Sequence, residues 1–167
     1  MKRLLSLILI SGLMIGFSAC DSSDDSPTNG GDDTPAWVGT WLSTGSDIAP
    51  LLVSLFNYDS VRVTMTTANT ITLDTHIAGG AWSSLPGVYT ITESTTGDVH
   101  SIEISYTGAF DQAGIVQIIS GTPDRMELEV VQTVPNIGAT PRTPATGFGS
   151  DATLGTYNIQ WYNKISD

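Results

Sequence analysis

The stretch Ser60-Val61-Arg62-Val63-Thr64-Met65-Thr66-Thr67-Ala68-Asn69-Thr70-Ile71-Thr72-Leu73-Asp74-Thr75-His76-Ile77 decides the fold class. From Ser60 to Thr67 the side chains alternate, with Val61, Val63 and Met65 on one face and Arg62 and Thr64 on the other. A period of two is the signature of a strand with one buried face. From Asn69 to Ile77 the alternation resumes, with Ile71 and Leu73 opposite Thr70, Thr72 and Asp74. Thr67-Ala68-Asn69 separates the two segments and suits a tight turn, because Asn tolerates left-handed backbone. Two alternating segments around such a turn predict an antiparallel hairpin.

The same pattern extends to both ends of the chain. Trp37–Thr44 comes before the hairpin, and Gly87–Glu93 after it aligns Tyr89 with Ile91. Val99–Thr107 aligns Ile102, Ile104 and Tyr106 opposite Ser101, Glu103 and Ser105. Gly114–Ser120 is apolar on both faces, Val116 and Ile118 against Ile115 and Ile119, so this strand is central or covered. Arg125–Thr133 sets Met126, Leu128 and Val130 opposite Glu127 and Glu129, which read as a solvated face. Thr156–Ile165 lines up Tyr157, Ile159, Trp161 and Ile165. Turn signals at Thr95-Thr96-Gly97-Asp98 and Gly121-Thr122-Pro123-Asp124 favour pairing of consecutive strands. Two connections are longer. Asp47–Asn57 predicts a short helix near residues 48–57, with Asp47 as N-cap and Pro50 in its first turn. Val134–Gly155 exceeds the length of an idle loop, and either segment is a candidate cover for an open barrel end.

Charge narrows the class of function. The chain of 167 residues carries 6 basic and 17 acidic groups, a formal net charge of −11. Nucleic acid is excluded as a partner, because phosphate binding needs clustered Lys and Arg. Docking on anionic lipid through a basic patch is excluded for the same reason. The one cysteine rules out an intrachain disulfide framework and a thiolate zinc cluster.

Met1-Lys2-Arg3 is a basic start to the apolar run Leu4–Gly16, which has the length of a signal-peptide core and falls short of a membrane span. The run ends in Phe17-Ser18-Ala19-Cys20, which resembles the lipobox of bacterial lipoproteins, with Phe17 where that family has Leu, Val or Ile. The resemblance implies cleavage after residue 19 and lipid on Cys20, the route to a membrane. Residues 20–35 contain no large apolar side chain, and five of the fifteen that follow Cys20 are acidic, so they read as a disordered tether. Acidic residues after the cysteine resemble surface-export signals of the Bacteroides group. In enterobacteria Asp21 would instead suggest retention at the inner membrane. The expected location is the bacterial cell envelope, lipid-anchored, at the outer membrane with surface exposure open.

Residues 36–167 form the remaining domain, expected as an all-β, single antiparallel up-and-down eight-stranded β-barrel. Gly39-Thr40-Trp41 on the first strand, Gly87-Val88-Tyr89-Thr90-Ile91 in the middle and Asp124-Arg125-Met126-Glu127-Leu128-Glu129 late in the chain resemble the lipocalin-like lipoproteins of bacteria. The resemblance implies that Gly39 allows close chain approach and that Trp41 plugs the closed end. It also gives Lys164, the one basic residue of the last strand, the role of a cation over that ring. Strict alternation, however, puts Lys164 with Tyr162 rather than with Trp161.

A barrel of eight strands either fills with side chains or holds one small ligand. The inward set expected to line such a pocket is Val61, Met65, Leu73, Tyr89, Ile102, Ile104, Tyr106, Met126, Leu128 and Trp161; these residues serve a packed core equally well. The function expected is binding of a small apolar or amphipathic molecule by a monomer. The alternative is a pocketless sandwich or solid barrel acting as an adhesion, carbohydrate-binding or assembly module through Trp82, Phe110, Phe148 or Tyr162. A metal site from Asp74, His76 and His100 has poor spacing, no nucleophile elbow or phosphate loop is present, and neither catalysis nor a cofactor is expected.

Overall fold

The computed structural model describes residues 34–167, so the signal segment, Cys20 and most of the acidic tether lie outside the described residues. Eight strands run β1 (Gly39–Thr44), β2 (Tyr58–Met65), β3 (Thr70–Ile77), β4 (Ser83–Thr92), β5 (Val99–Tyr106), β6 (Asp111–Ile119), β7 (Arg125–Val134) and β8 (Ile159–Ser166). Each pairs antiparallel with the next, and β8 returns to β1, so the sheet closes into an up-and-down barrel. One short helix, α1 (Pro50–Phe56), joins β1 to β2. Closure removes every free strand edge. Thr34–Asp167 is thus a compact unit with its own core, and the sandwich alternative does not form.

The hairpin that set the fold class forms as expected. Val63 faces Leu73 and Met65 faces Ile71 across β2 and β3. Asn69 takes the left-handed conformation at φ 59°, and its N–H donates to the Thr66 carbonyl at 3.0 Å.

The barrel has two different ends. At one, Gly39 of β1 pairs with Met65, and the β2–β3, β4–β5 and β6–β7 turns gather beside the chain terminus. Trp41 is fully buried there, and its indole N–H donates to the Trp37 carbonyl at 2.9 Å. Gly39 has φ 133°, and a methyl group on it would stand 2.6 Å from the Ser166 carbonyl oxygen, so only glycine fits. At the other end α1 sits over the strands, with Pro50 at its start and a left-handed Asn57 closing it on the Val53 carbonyl. Asp47 does not cap α1. It lies in a 3-10 turn (Gly45–Asp47) and accepts from Arg125 and Asn163 on the outer wall, both at 3.0 Å.

Three further expectations are corrected. β4 begins at Ser83, so Ser83–Pro86 belongs to the strand; Pro86 pairs with Thr72 just before β4 meets β5 at Gly87, where a missing N–H breaks no ladder. β8 begins at Ile159 after a 3-10 turn (Gly155–Asn158), and its faces are opposite to those expected. Trp161 pairs with Glu127 and points outward beneath the Arg125 guanidinium, 4.7 Å from the ring centre, whereas Tyr162 points inward and is buried.

Glu127 and Glu129 point outward but are not solvated: Glu129 is 2% exposed. The connection from Pro135 to Leu154 lies against this wall, and the Gly149 N–H donates to the Glu129 carboxylate at 2.8 Å. Ile115 and Ile159, also on the outer face, are buried too, which accounts for the apolar second face of β6. The connection is held by its own bonds. Arg142 pairs with Asp151 at 3.1 Å, and Asp151 accepts the N–H groups of Thr153 and Leu154 at 2.7 and 2.8 Å.

Candidate functional site

The interior divides into a filled half and a hollow half. Below, around Trp41, large side chains meet: Met65, Tyr89, Ile102, Ile104 and Met126 pack together, each under 4% exposed. Above, toward α1, the inward side chains leave a cavity of about 270 Å³.

The cavity wall is built in layers. β2 and β3 contribute Val61, Val63, Ile71, Leu73 and Thr75; β7 contributes Leu128, Val130 and Gln132; β8 and its leading turn contribute Asn158, Gln160 and Tyr162. Ala49, Leu52 and Phe56 of α1 and its entry form one side of the rim, and Tyr58, Tyr106, Phe110 and Gln112 complete the lining. Phe110 packs on Tyr106 with ring centres 4.9 Å apart. Burial pushes the Tyr106 phenol well above its ordinary range, and burial together with the neighbouring Tyr106 does the same to Tyr162. Both therefore stay protonated donors. No lining residue carries a formal charge.

Polar contacts fix the upper wall. The Asn158 amide donates to the Val130 carbonyl at 2.7 Å, and Gln132 donates to the Pro135 carbonyl at 2.9 Å. The Gln160 oxygen accepts the Ala49 N–H at 2.6 Å, which ties the start of α1 to β8.

Of the ten residues expected as lining, Val61, Leu73, Tyr106 and Leu128 line the cavity. Met65, Tyr89, Ile102, Ile104 and Met126 point inward but belong to the solid half, and Trp161 is outside. The β2–β3 alternation already contained Val63 and Ile71. Gln160 and Tyr162 were hidden because the apolar alternation of β8 marks its covered outer face. Ala49, Leu52 and Phe56 carry no periodic signal, since a short connection places them.

The other candidate constellations are dispersed. His76 lies near the α1 end, with Nδ1 2.6 Å from Asp59 and its ring 5.1 Å from that of Trp82. His100 lies at the opposite end, with Nδ1 accepting the Ser94 N–H and its ring edge-on to Trp37. Asp74 is 5% exposed, paired with Arg62 at 3.0 Å and bonded by Ser84. Among the described residues no group of three or more His, Cys, Asp and Glu could hold a metal ion. Of the aromatics proposed for a contact patch, Trp82 is exposed under the Arg62 guanidinium, but Phe110 and Phe148 are half-buried and Tyr162 is buried. They form no common patch. Comparison with protein-family models, with curated proteins and with solved structures finds no match for this chain.

Proposed function

We propose that the protein is a lipid-anchored lipoprotein of the bacterial envelope, similar to lipocalin-like lipoproteins, whose barrel binds a small apolar or amphipathic molecule. The observation that carries the reading is the hollow half of the barrel, about 270 Å³ beneath α1. Protein interiors pack densely, and an unfilled volume of this size forgoes stability that larger side chains would supply. A hollow lined by aliphatic and aromatic side chains with a few amides and phenols is the usual make-up of a small-molecule site. The anchor half of the reading rests on Phe17-Ser18-Ala19-Cys20 and the acidic segment after it.

Native mass spectrometry of the protein purified gently from its host tests the binding. A reproducible small-molecule adduct that is lost on denaturation supports it. A bare mass, with no response of intrinsic fluorescence to a panel of small apolar compounds, overturns it. Metabolic labelling with an alkyne fatty acid tests the anchor: the native chain takes up label and Cys20→Ser does not. An unlabelled native chain overturns that half.

A further inference from the structure

We propose that His76 is a pH-sensitive latch on the rim of the cavity: its doubly protonated ring ties the β3–β4 turn, residues 78–82, to the start of β2, and loss of one proton frees the turn. The ring is half-buried and reaches two oxygens at once. Nδ1 lies 2.6 Å from the Asp59 carboxylate, and Nε2 lies 3.2 Å from the Gly80 carbonyl oxygen. An ionised carboxylate and a carbonyl only accept, so each bond needs a proton on the ring nitrogen. A neutral imidazole carries one such proton and an imidazolium carries two. Both bonds therefore exist together only in the charged ring.

The backbone is shaped for this contact. Tyr58 pairs with Ile77 and Ser60 with His76, so Asp59 is one residue too many in β2 and forms a bulge. Bulges re-aim side chains, and this one turns Asp59 toward the histidine. The hydrogen bond from His76 holds the Asp59 carboxyl below its ordinary value, so Asp59 stays ionised wherever histidine titrates. The other charges nearby are paired with each other. Arg62 of β2 meets Asp74 of β3 at 3.0 Å, and its guanidinium lies over Trp82, whose ring centre is 5.1 Å from that of His76. On β4, Ser84 bonds to Asp74, and α1 carries no charged side chain.

When the ring loses a proton, the carboxylate, as the stronger acceptor, keeps the one on Nδ1. The Nε2 lone pair then faces the Gly80 oxygen. Two acceptors repel, so the Gly80 carbonyl moves away and loosens the turn's own bond, from the Gly80 N–H to the Ile77 carbonyl at 2.8 Å. The latch closes on the cavity's rim because Tyr58, next to Asp59, lines the cavity and stacks on Phe56 of α1 with ring centres 5.3 Å apart.

NMR of the protein tests this by following the His76 ring nitrogens and the Gly80 amide together, from about pH 5 upward through the loss of the ring proton. At the acid end both ring nitrogens are expected to carry protons, and the Gly80 amide to exchange slowly relative to the unstructured rate at each pH. As the ring deprotonates, that relative rate is expected to rise roughly tenfold, with the same midpoint. His76→Phe keeps a ring against Trp82 but can make neither bond, and its Gly80 amide is expected to exchange fast throughout. A Gly80 amide whose protection does not follow the ring, or a ring with one bare nitrogen at the acid end, overturns the latch. Protection of Gly80 retained in His76→Phe overturns it as well. The titration of the unmodified protein decides the matter even if His76→Phe fails to fold.

Discussion

Lys164 Nζ stands 5.6 Å from the centre of the Trp41 ring, and the two residues pair directly across the β1–β8 seam that closes the barrel. The cation thus covers the plug at the filled end, and its alternation with Tyr162 is what turns it inward. Trp41→Ala is expected to cost about 3–5 kcal/mol, because a fully buried large ring leaves a cavity. Lys164→Met keeps most of the aliphatic packing and is expected to cost only about 0.5–2 kcal/mol. Urea unfolding of both variants separates the two contributions. A Lys164→Met midpoint equal to that of the parent would mean that the ring gains nothing from the charge.

Gly39 bears on the same seam. Ala at this position would meet the Ser166 carbonyl at 2.6 Å and would be held at φ 133°, which L residues rarely adopt. Gly39→Ala is expected to lower stability by roughly 1–3 kcal/mol through backbone strain alone, and by more once the clash is relieved by moving β8. Thermal unfolding followed by tryptophan fluorescence checks this.

The hollow half can be closed by mutation. Val130 lines the cavity from β7, and Val130→Phe would place a ring in the open volume. Binding of small apolar compounds is expected to disappear while the thermal midpoint holds or rises, since the added ring gains contacts without displacing core atoms. A lowered midpoint with binding intact would place the ring elsewhere.

Glu127 gives the barrel a pH dependence with a defined sign. Burial, and then the neighbouring Glu129, push its carboxyl above the ordinary value, and Arg125 partly offsets them. A carboxyl whose folded pKa is raised favours the folded state while protonated. That advantage is lost as pH climbs from the unfolded pKa through the raised folded one. Glu127→Gln, which stays neutral, should therefore raise the melting temperature at pH 7. The gain should vanish below the ordinary carboxylate range. Melting curves at both pH values are the check.

Asp151 runs the other way. The N–H groups of Leu154 and Thr153, and less strongly Arg142, hold its carboxyl below the ordinary value. Its contribution is complete above the unfolded pKa and is lost as pH falls through the lowered folded one. Hydrogen exchange in residues 135–154, taken relative to the unstructured rate at each pH, should therefore accelerate on acidification. In Asp151→Asn it should already be faster at pH 7 and respond less to acid.

Strand identity was legible wherever one face meets the core and the other meets water, as at Val61-Arg62-Val63-Thr64-Met65. Where both faces are covered the strand was still legible, but which face points inward was not. β8 is the clear case: Ile159 and Trp161 are shielded by the Gly149 segment and by Arg125, so the apolar alternation marks the outer wall. The same cover turned Glu127 and Glu129 from expected surface charges into buried ones. Asp47 had the chemistry of a helix cap, but Arg125 and Asn163 offered it stronger partners on another wall.

By itself the sequence determined eight strands, their consecutive pairing and the helical insert after β1. These depend on local periodicity and turn chemistry, which each segment carries alone. Only the tertiary structure decided which half of the barrel is filled, where the Pro135–Leu154 connection lies, and that Gln160 ties the start of α1 to β8. Those outcomes depend on volumes and hydrogen bonds summed over residues far apart in the chain. The Ala49 N–H takes the oxygen of Gln160 across 111 positions, and no local pattern records such a pairing.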